Sequence, residues 1–206
     1  TKGRRQVGST IKPFLYSLAM SNGMSPCDLA PNVQQTYGNW TPRNGSRARY
    51  GQMVTLKWAL AQSNNWVSAY LMSTVNAQDF LAFLRDYGIN TFGVYPSMVL
   101  CLGPNEVSVA EMVSAYTTFA NNGIHCYPLY VTKIEDSAGN VLAEFQPRMN
   151  EVISEESSLR MLEMLQSVID NGTGGRIRYK YHFTAPMAGK TGTTNRHSDG
   201  WFVGIT

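Results

Sequence analysis

The sequence predicts an α+β fold, mostly helical with a partial antiparallel sheet. Apolar residues recur at helical spacing behind capping residues in segment after segment, and strand-like runs flank polar turns at residues 130–145 and 186–206. A chain of 206 residues, 43% apolar and 15% charged, has the length and composition for one domain, residues 1–206, with a substantial core.

Pro13 fixes the first helix, expected from about Ser9 to Met20, with Phe14, Leu15 and Leu18 on its apolar side and Asn22-Gly23 as its stop. In residues 24–53 prolines, glycines and asparagines recur without periodicity, and a loop of that length reads as the rim of a cleft. Thr55 caps a helix from Leu56 to Ala61, and Val67, Tyr70 and Leu71 restart the pattern. Between them, Ser63-Asn64-Asn65 reads either as a turn, the commoner meaning of S-x-N alone, or as a polar finger carrying the Ser63 hydroxyl and Asn65 amide into a site.

Asn76 and Asp79 open a helix with Phe80, Phe83, Leu84 and Tyr87 on one face, closed by Gly88. The capping box Ser108-Val109-Ala110-Glu111 begins the next, with Glu106 at its entry, Met112, Tyr116 and Phe119 inward, and Asn121-Asn122-Gly123 as its end. Tyr130–Glu135 and Asn140–Phe145 form a hairpin around Ser137-Ala138-Gly139. Ser154, followed by Glu155 and Glu156, caps a helix expected to bury Leu159, Leu162, Leu165 and Ile169 and to end at Asn171-Gly172. Pro186 to Thr193 and Gly200 to Thr206 are the last two strands, joined by the polar turn 194–199.

Composition excludes several functions. The net charge is +3, and Arg43, Arg47 and Arg49 read as a solvated basic loop rather than a nucleic-acid surface. No run of about 18 apolar residues appears, so no transmembrane helix is expected, and no signal peptide opens the chain. Cys27, Cys101 and Cys126 are odd in number and unclustered, and His125, His182 and His197 are scattered, which argues against a zinc motif or a disulfide framework.

Two lysine motifs carry chemistry. Ser9 and Lys12 lie three apart, so on a helix their side chains share a face, a nucleophile with a base one turn away at a helix N-terminus. Lys190-Thr191-Gly192-Thr193 places a positive charge and two hydroxyls on a strand where Gly192 admits another backbone, a surface suited to a carboxylate-bearing peptide. A P-loop NTPase is the alternative for Gly189-Lys190-Thr191, but the motif demands glycine where Thr184 stands and a helix after the lysine. Gly172-Thr173-Gly174-Gly175 follows a helix rather than a strand, which excludes a dinucleotide fingerprint.

In the order Ser9-x-x-Lys12, Ser63-x-Asn65, Lys190-Thr191-Gly192, the chain resembles the penicillin-binding protein and serine β-lactamase superfamily. S-x-x-K or S-x-N alone arises by chance about once in such a chain, K-T-G in only a few per cent. Arg5 through Phe14, Glu106 through Asn121, Gly172-Thr173-Gly174 and Gly189 through Gly204 all resemble the transpeptidase domain of a class A, bifunctional penicillin-binding protein.

The resemblance implies a β-lactamase/transpeptidase-like fold from which the family's first two sheet strands and last strand are missing. It implies that Ser9 attacks the D-Ala-D-Ala carbonyl of a peptidoglycan stem, expels D-alanine and forms an acyl-enzyme resolved by an amine of a neighbouring stem. Lys12 is then the base, with a pKa lowered by burial and by Lys190; Ser63 relays the proton to the leaving amine, and Asn65 holds the substrate amide. Backbone N–H groups of Ser9 and Thr193 form the oxyanion hole, while Lys190, Thr191 and Thr193 bind the terminal carboxylate. No metal or cofactor is implied. β-Lactams are expected ligands, the extracytoplasmic face of the bacterial inner membrane the expected location, with an anchor upstream, and the open sheet edge predicts dimerisation. A serine β-lactamase or D,D-carboxypeptidase shares the motifs. A class A β-lactamase adds a Glu with an Asn four residues on, between S-x-N and K-T-G. None of the eight glutamates from Glu106 to Glu163 has that partner.

Overall fold

A short strand, β1 (Arg4–Gln6), and a 3-10 turn (Gly8–Ile11) lead into α1 (Lys12–Ser21), the helix around which the others pack. The computed structural model describes residues 3–194 and 198–206, so Asn195, Arg196 and His197 of the expected polar turn lie outside the described residues. The helix expected from Ser9 is two pieces: Ser9 sits in the 3-10 turn and the α-helix starts at Lys12, with Pro13 in its first turn, where a missing N–H costs nothing. Phe14, Leu15, Tyr16 and Met20 are buried while Leu18 is only half-buried. The Phe14 ring meets Tyr87 and Tyr116 edge-on at 4.8 and 5.3 Å and stacks on Phe119 at 5.7 Å, which ties three helices together.

The irregular rim is closed at its base by β2 (Leu29–Pro31) pairing antiparallel with β3 (Met53–Thr55). Thr55 then caps α2 (Leu56–Ala61) and Asn64 caps α3 (Asn65–Ser73), their side chains accepting from the Trp58 and Val67 amides. Asn76 caps α4 (Ala77–Asp86), and a second 3-10 turn (Met98–Leu102) precedes β4 (Glu106–Ser108). Glu106, expected at a helix entry, is instead in this strand, which pairs antiparallel with β1. The full capping box opens α5 (Val109–Ala120).

Next come β5 (Ile124–Cys126), β6 (Lys133–Glu135), β7 (Val141–Glu144) and β8 (Met149–Glu151), with β6–β7 forming the expected hairpin in shorter strands and β5 pairing β8. Ser154 caps α6 (Glu155–Asn171), whose buried stripe is Met161, Met164, Leu165, Val168 and Ile169. That stripe corrects the leucine-based expectation: Leu159, two residues from Met161 and so on the opposite face, is exposed, and Leu162 is half-buried. After α7 (Arg176–Tyr179), β9 (Ala188–Thr193) and β10 (Gly200–Ile205) pair antiparallel, Thr193 opposite Gly200 and Ala188 opposite Ile205. The strand expected from Pro186 begins two residues later, in keeping with a residue that has no N–H for the ladder.

The fold is thus α+β, with small antiparallel sheets of two strands each among the described residues. Among those residues β9 pairs only with β10, so its other edge is open, and along that edge lies the cleft.

Candidate active site

Four elements converge on one cleft of about 260 Å³, lined by Ser9, Asn44, Gly45, Ser46, Gln62, Ser63, Asn65, Thr191 and Thr193. The 3-10 turn that carries Ser9 is fixed from two sides. The Tyr116 hydroxyl donates to the Thr10 carbonyl at 2.7 Å, and Trp201 Nε1 donates to the Gln6 carbonyl at 2.8 Å, so α5 and β10 hold the turn in place. A Cβ at Gly192 would sit 2.9 Å from the Val7 carbonyl and 2.8 Å from Thr10 Cγ2, so glycine there lets β9 press against the turn, the close approach expected of it.

The Ser63-Asn64-Asn65 tripeptide is at once a turn and a finger. Asn64 is buried and caps α3, donating to Asn32 Oδ1 at 2.8 Å, while Ser63 on one side and Asn65 on the other face the cleft. Ser63 has φ of +52°, a left-handed backbone that a side-chain-bearing residue adopts at a cost of order 1 kcal/mol. The rim completes this wall: the Asn65 amide donates to Asn44 Oδ1 at 2.9 Å and Asn65 Nδ2 to the Arg43 carbonyl at 2.7 Å. Sequence reasoning located the rim but missed Asn44, Gly45, Ser46 and Gln62 individually; the Asn44-Gly45 pair, a turn signal, was the only local cue.

Lys12 and Lys190 are both fully buried and meet at Ser63. Lys12 Nζ donates to the Ser63 carbonyl at 2.6 Å, to Asn65 Oδ1 at 2.6 Å and to Ser63 Oγ at 3.3 Å. Lys190 Nζ donates to Ser63 Oγ at 2.9 Å and to the Thr191 carbonyl at 2.9 Å. The Lys12 N–H donates to the Ser9 carbonyl, but among the described residues no hydrogen bond joins the Ser9 hydroxyl to the Lys12 ammonium. Ser63 Oγ accepts from the Nζ groups of both lysines, which occupies both its lone pairs and leaves its own proton directed away from them.

Burial pulls the Lys12 ammonium from its ordinary 10.5 down to about 7. The Cys101 thiol, pushed up to about 12 by its own burial, stays neutral and offers little countercharge. Lys190 is held well below its ordinary value, by burial first and by the Lys12 charge second. The repulsion between the two charges is reciprocal and belongs to the pair, so charging either lysine disfavours charge on the other. Neither lysine has a carboxylate partner among the described salt bridges.

A site with one basic amine near neutrality, a second cation, a hydroxyl between them and a serine at the mouth suits acyl transfer to serine with recognition of an anion. The model of the penicillin-binding protein transpeptidase domain matches residues 1–206, and the chain belongs to that family.

Penicillin-binding protein 1A of Aquifex aeolicus is 35% identical over 211 residues, covering 100% of this chain and 28% of that protein. The one from Neisseria lactamica is 32% identical over 217 residues, covering 100% of this chain and 27% of that protein. The chain therefore spans little more than a quarter of the length of these relatives. Among solved structures, penicillin-binding protein 1A from Haemophilus influenzae superposes with a TM-score of 0.87 at 26% identity, over 99% of this chain and 36% of that one. The D,D-transpeptidase domain of a peptidoglycan glycosyltransferase from Eggerthella lenta shares the fold at a TM-score of 0.81 and 23% identity, over 98% of this chain and 57% of that one.

Proposed function

We propose that the chain is the acyl-transfer domain of a peptidoglycan D,D-transpeptidase, working through a Ser9 acyl-enzyme and blocked by β-lactams. The observation that carries this reading is the meeting of Lys12 and Lys190 on Ser63 Oγ beside Ser9 and the open edge of β9.

A stem peptide laid along β9 brings its terminal carboxylate to Lys190, Thr191 and Thr193. That carboxylate favours the charged form of Lys190, and the charge on Lys190 favours neutral Lys12. Neutral Lys12 takes the proton from Ser9 Oγ as this oxygen attacks the carbonyl carbon of the penultimate D-alanine. The Ser9 and Thr193 N–H groups hold the oxyanion. Ser63, its proton already turned away from the lysines, gives it to the departing D-alanine amine and is reprotonated from Lys12. The C–N bond breaks and an ester to Ser9 remains. An amine of a second stem then attacks the ester by the reverse proton route. Asn65, with one Nδ2 proton left beyond its bond to Arg43, holds the substrate amide.

The site of action in this reading is the extracytoplasmic face of the bacterial inner membrane, where peptidoglycan is cross-linked. Among the described residues no helix is long and apolar enough to cross a membrane. The free edge of β10 makes self-association of the isolated domain an expected property, read by sedimentation.

A fluorescent penicillin tests the proposal. The adduct maps to Ser9 and disappears in Ser9→Ala; a label on another residue, or equal labelling of the variant, sinks the assignment. The NTPase alternative predicts saturable ATP binding lost in Lys190→Ala. Calorimetry is expected to show no binding, because Lys190 is buried on a strand and bonded to Ser63.

A further inference from the structure

The loop that ends α6 reaches the site from behind. Thr173 Oγ1 and Thr191 Oγ1 are hydrogen-bonded at 2.5 Å, and either can be the donor. Thr173 itself is exposed and does not line the cleft, so whatever it does for the cleft passes through Thr191.

Its position is built from the backbone. The Thr173 N–H donates to the Ala61 carbonyl at 3.0 Å, and that of Gly174 to the Val168 carbonyl at 2.9 Å. A Cβ at Gly172 would stand 2.2 Å from the Ala61 carbonyl oxygen, and one at Gly174 2.8 Å from Ile169 Cδ1. Gly172 thus lets the loop close onto the last residue of α2, two positions before Ser63, and Gly174 lets it fold back against the end of α6. One short segment is fixed against both walls of the cleft, with the Thr173 hydroxyl at the point of contact.

Proton counting gives that contact a function. The Thr191 hydroxyl has one proton and two lone pairs. In a free site it can donate to Thr173 or accept from it. A ligand carboxylate accepts only, so once it binds, the Thr191 proton goes to the ligand and Thr173 becomes the donor to Thr191 Oγ1. A threonine already accepting a hydrogen bond is a stronger donor, and its rotor is held on the ligand.

We propose that Thr173 is a positioning residue for carboxylate recognition: its hydroxyl bonds Thr191 Oγ1 and commits the Thr191 proton to the terminal carboxylate of the substrate. The inference rests on the acyl-transfer reading given above.

The test uses two thioesters with the same acyl group, one leaving as thioglycolate and the other as its neutral amide. The parent protein, Thr173→Val and Thr173→Ser are compared by kcat/KM from thiol release, with penicillin labelling of Ser9 in the parent as the reference. Thr173→Val lowers kcat/KM for the carboxylate-bearing thioester by roughly three- to tenfold, the loss of about one net hydrogen bond. It leaves the neutral thioester unchanged, and Thr173→Ser restores the parent value. Equal rates for Thr173→Val and the parent on the charged thioester overturn the inference. So does a parallel loss on both thioesters, which marks a merely structural residue. Absence of a Ser9 adduct in the parent protein defeats the acyl-transfer reading itself and takes the inference with it.

Discussion

Replacing Lys12 with methionine isolates the energetic cost of the site. Lys12 is fully buried, and methionine fills nearly the same volume without the charge. In the unfolded chain the amine titrates at its ordinary 10.5, and in the folded protein at about 7. Below pH 7 it is protonated in both states, so the whole penalty for burying the charge applies. As pH rises from 7 towards 10.5 the folded protein gives up the proton before the unfolded chain does, and the penalty fades. At about 1.4 kcal/mol per pH unit, that cost is about 5 kcal/mol at pH 6, about 4 at pH 7 and about 2 at pH 9. Methionine removes it, together with the bonds to Ser63 and Asn65, whose loss shifts the comparison by a constant that does not depend on pH. Urea denaturation of both proteins at pH 6, 7, 8 and 9 should show the parent gaining on Lys12→Met by about 2–3 kcal/mol across that range. Lys190, freed from the charge of Lys12, titrates closer to its ordinary value in the variant, which widens the difference. Stability curves that run parallel with pH would refute the reasoning, because they would mean that Lys12 keeps its ordinary proton affinity in the folded state.

If Lys12 is the base, acylation of Ser9 by penicillin should rise about tenfold per pH unit below pH 7 and level off above about pH 8, since only the neutral amine accepts the proton; stopped-flow rates independent of pH would exclude it. The penicillin adduct should persist for minutes or longer, because no acidic residue lines the described cleft to activate a water; a chase with unlabelled penicillin showing many turnovers per second would make this a β-lactamase. Gly172→Ala should destabilise the fold by about 1–3 kcal/mol, since its methyl group meets the Ala61 carbonyl at 2.2 Å and backbone must move; an unchanged urea midpoint would contradict that contact.

Local chemistry was what the sequence made legible. Thr55, Asn76, Ser108 and Ser154 all cap the helices their side chains announced, because a cap is a bond between neighbours a few residues apart. Helical spacing also marked Ser9 and Lys12, the character of the last strands marked Lys190, and the resemblance carried by the order of the three motifs marked Ser63 and Asn65. What the sequence could not mark were bonds between distant segments. Strands of three residues, such as β1 with β4, are too short for alternation to register, and their pairing spans about a hundred residues. The same holds for Asn44 on Asn65 and Thr173 on Thr191. In α6 the periodicity was present but was anchored on leucines, and the methionines at 161 and 164 carry the true face. The left-handed Ser63 had no sequence signal, since glycine is the residue that normally marks such a backbone.

That strained serine, two uncompensated buried lysines and a loop held by glycines are each unfavourable or merely neutral for stability, and they are found at one place. A packed core supplied by α1, α4, α5 and α6 is what allows them to persist. The two lysines also share a constraint: with no carboxylate paired to either among the described residues, the pocket holds one positive charge far more readily than two. Which lysine carries it is then decided by what enters the cleft. An anion at the Thr191 end draws the charge to Lys190 and leaves Lys12 neutral, so in the proposed reaction the substrate's own terminal carboxylate would prepare the base that acts on its carbonyl. Binding and activation would be one electrostatic event, and a substrate lacking that carboxylate would lose turnover as well as affinity.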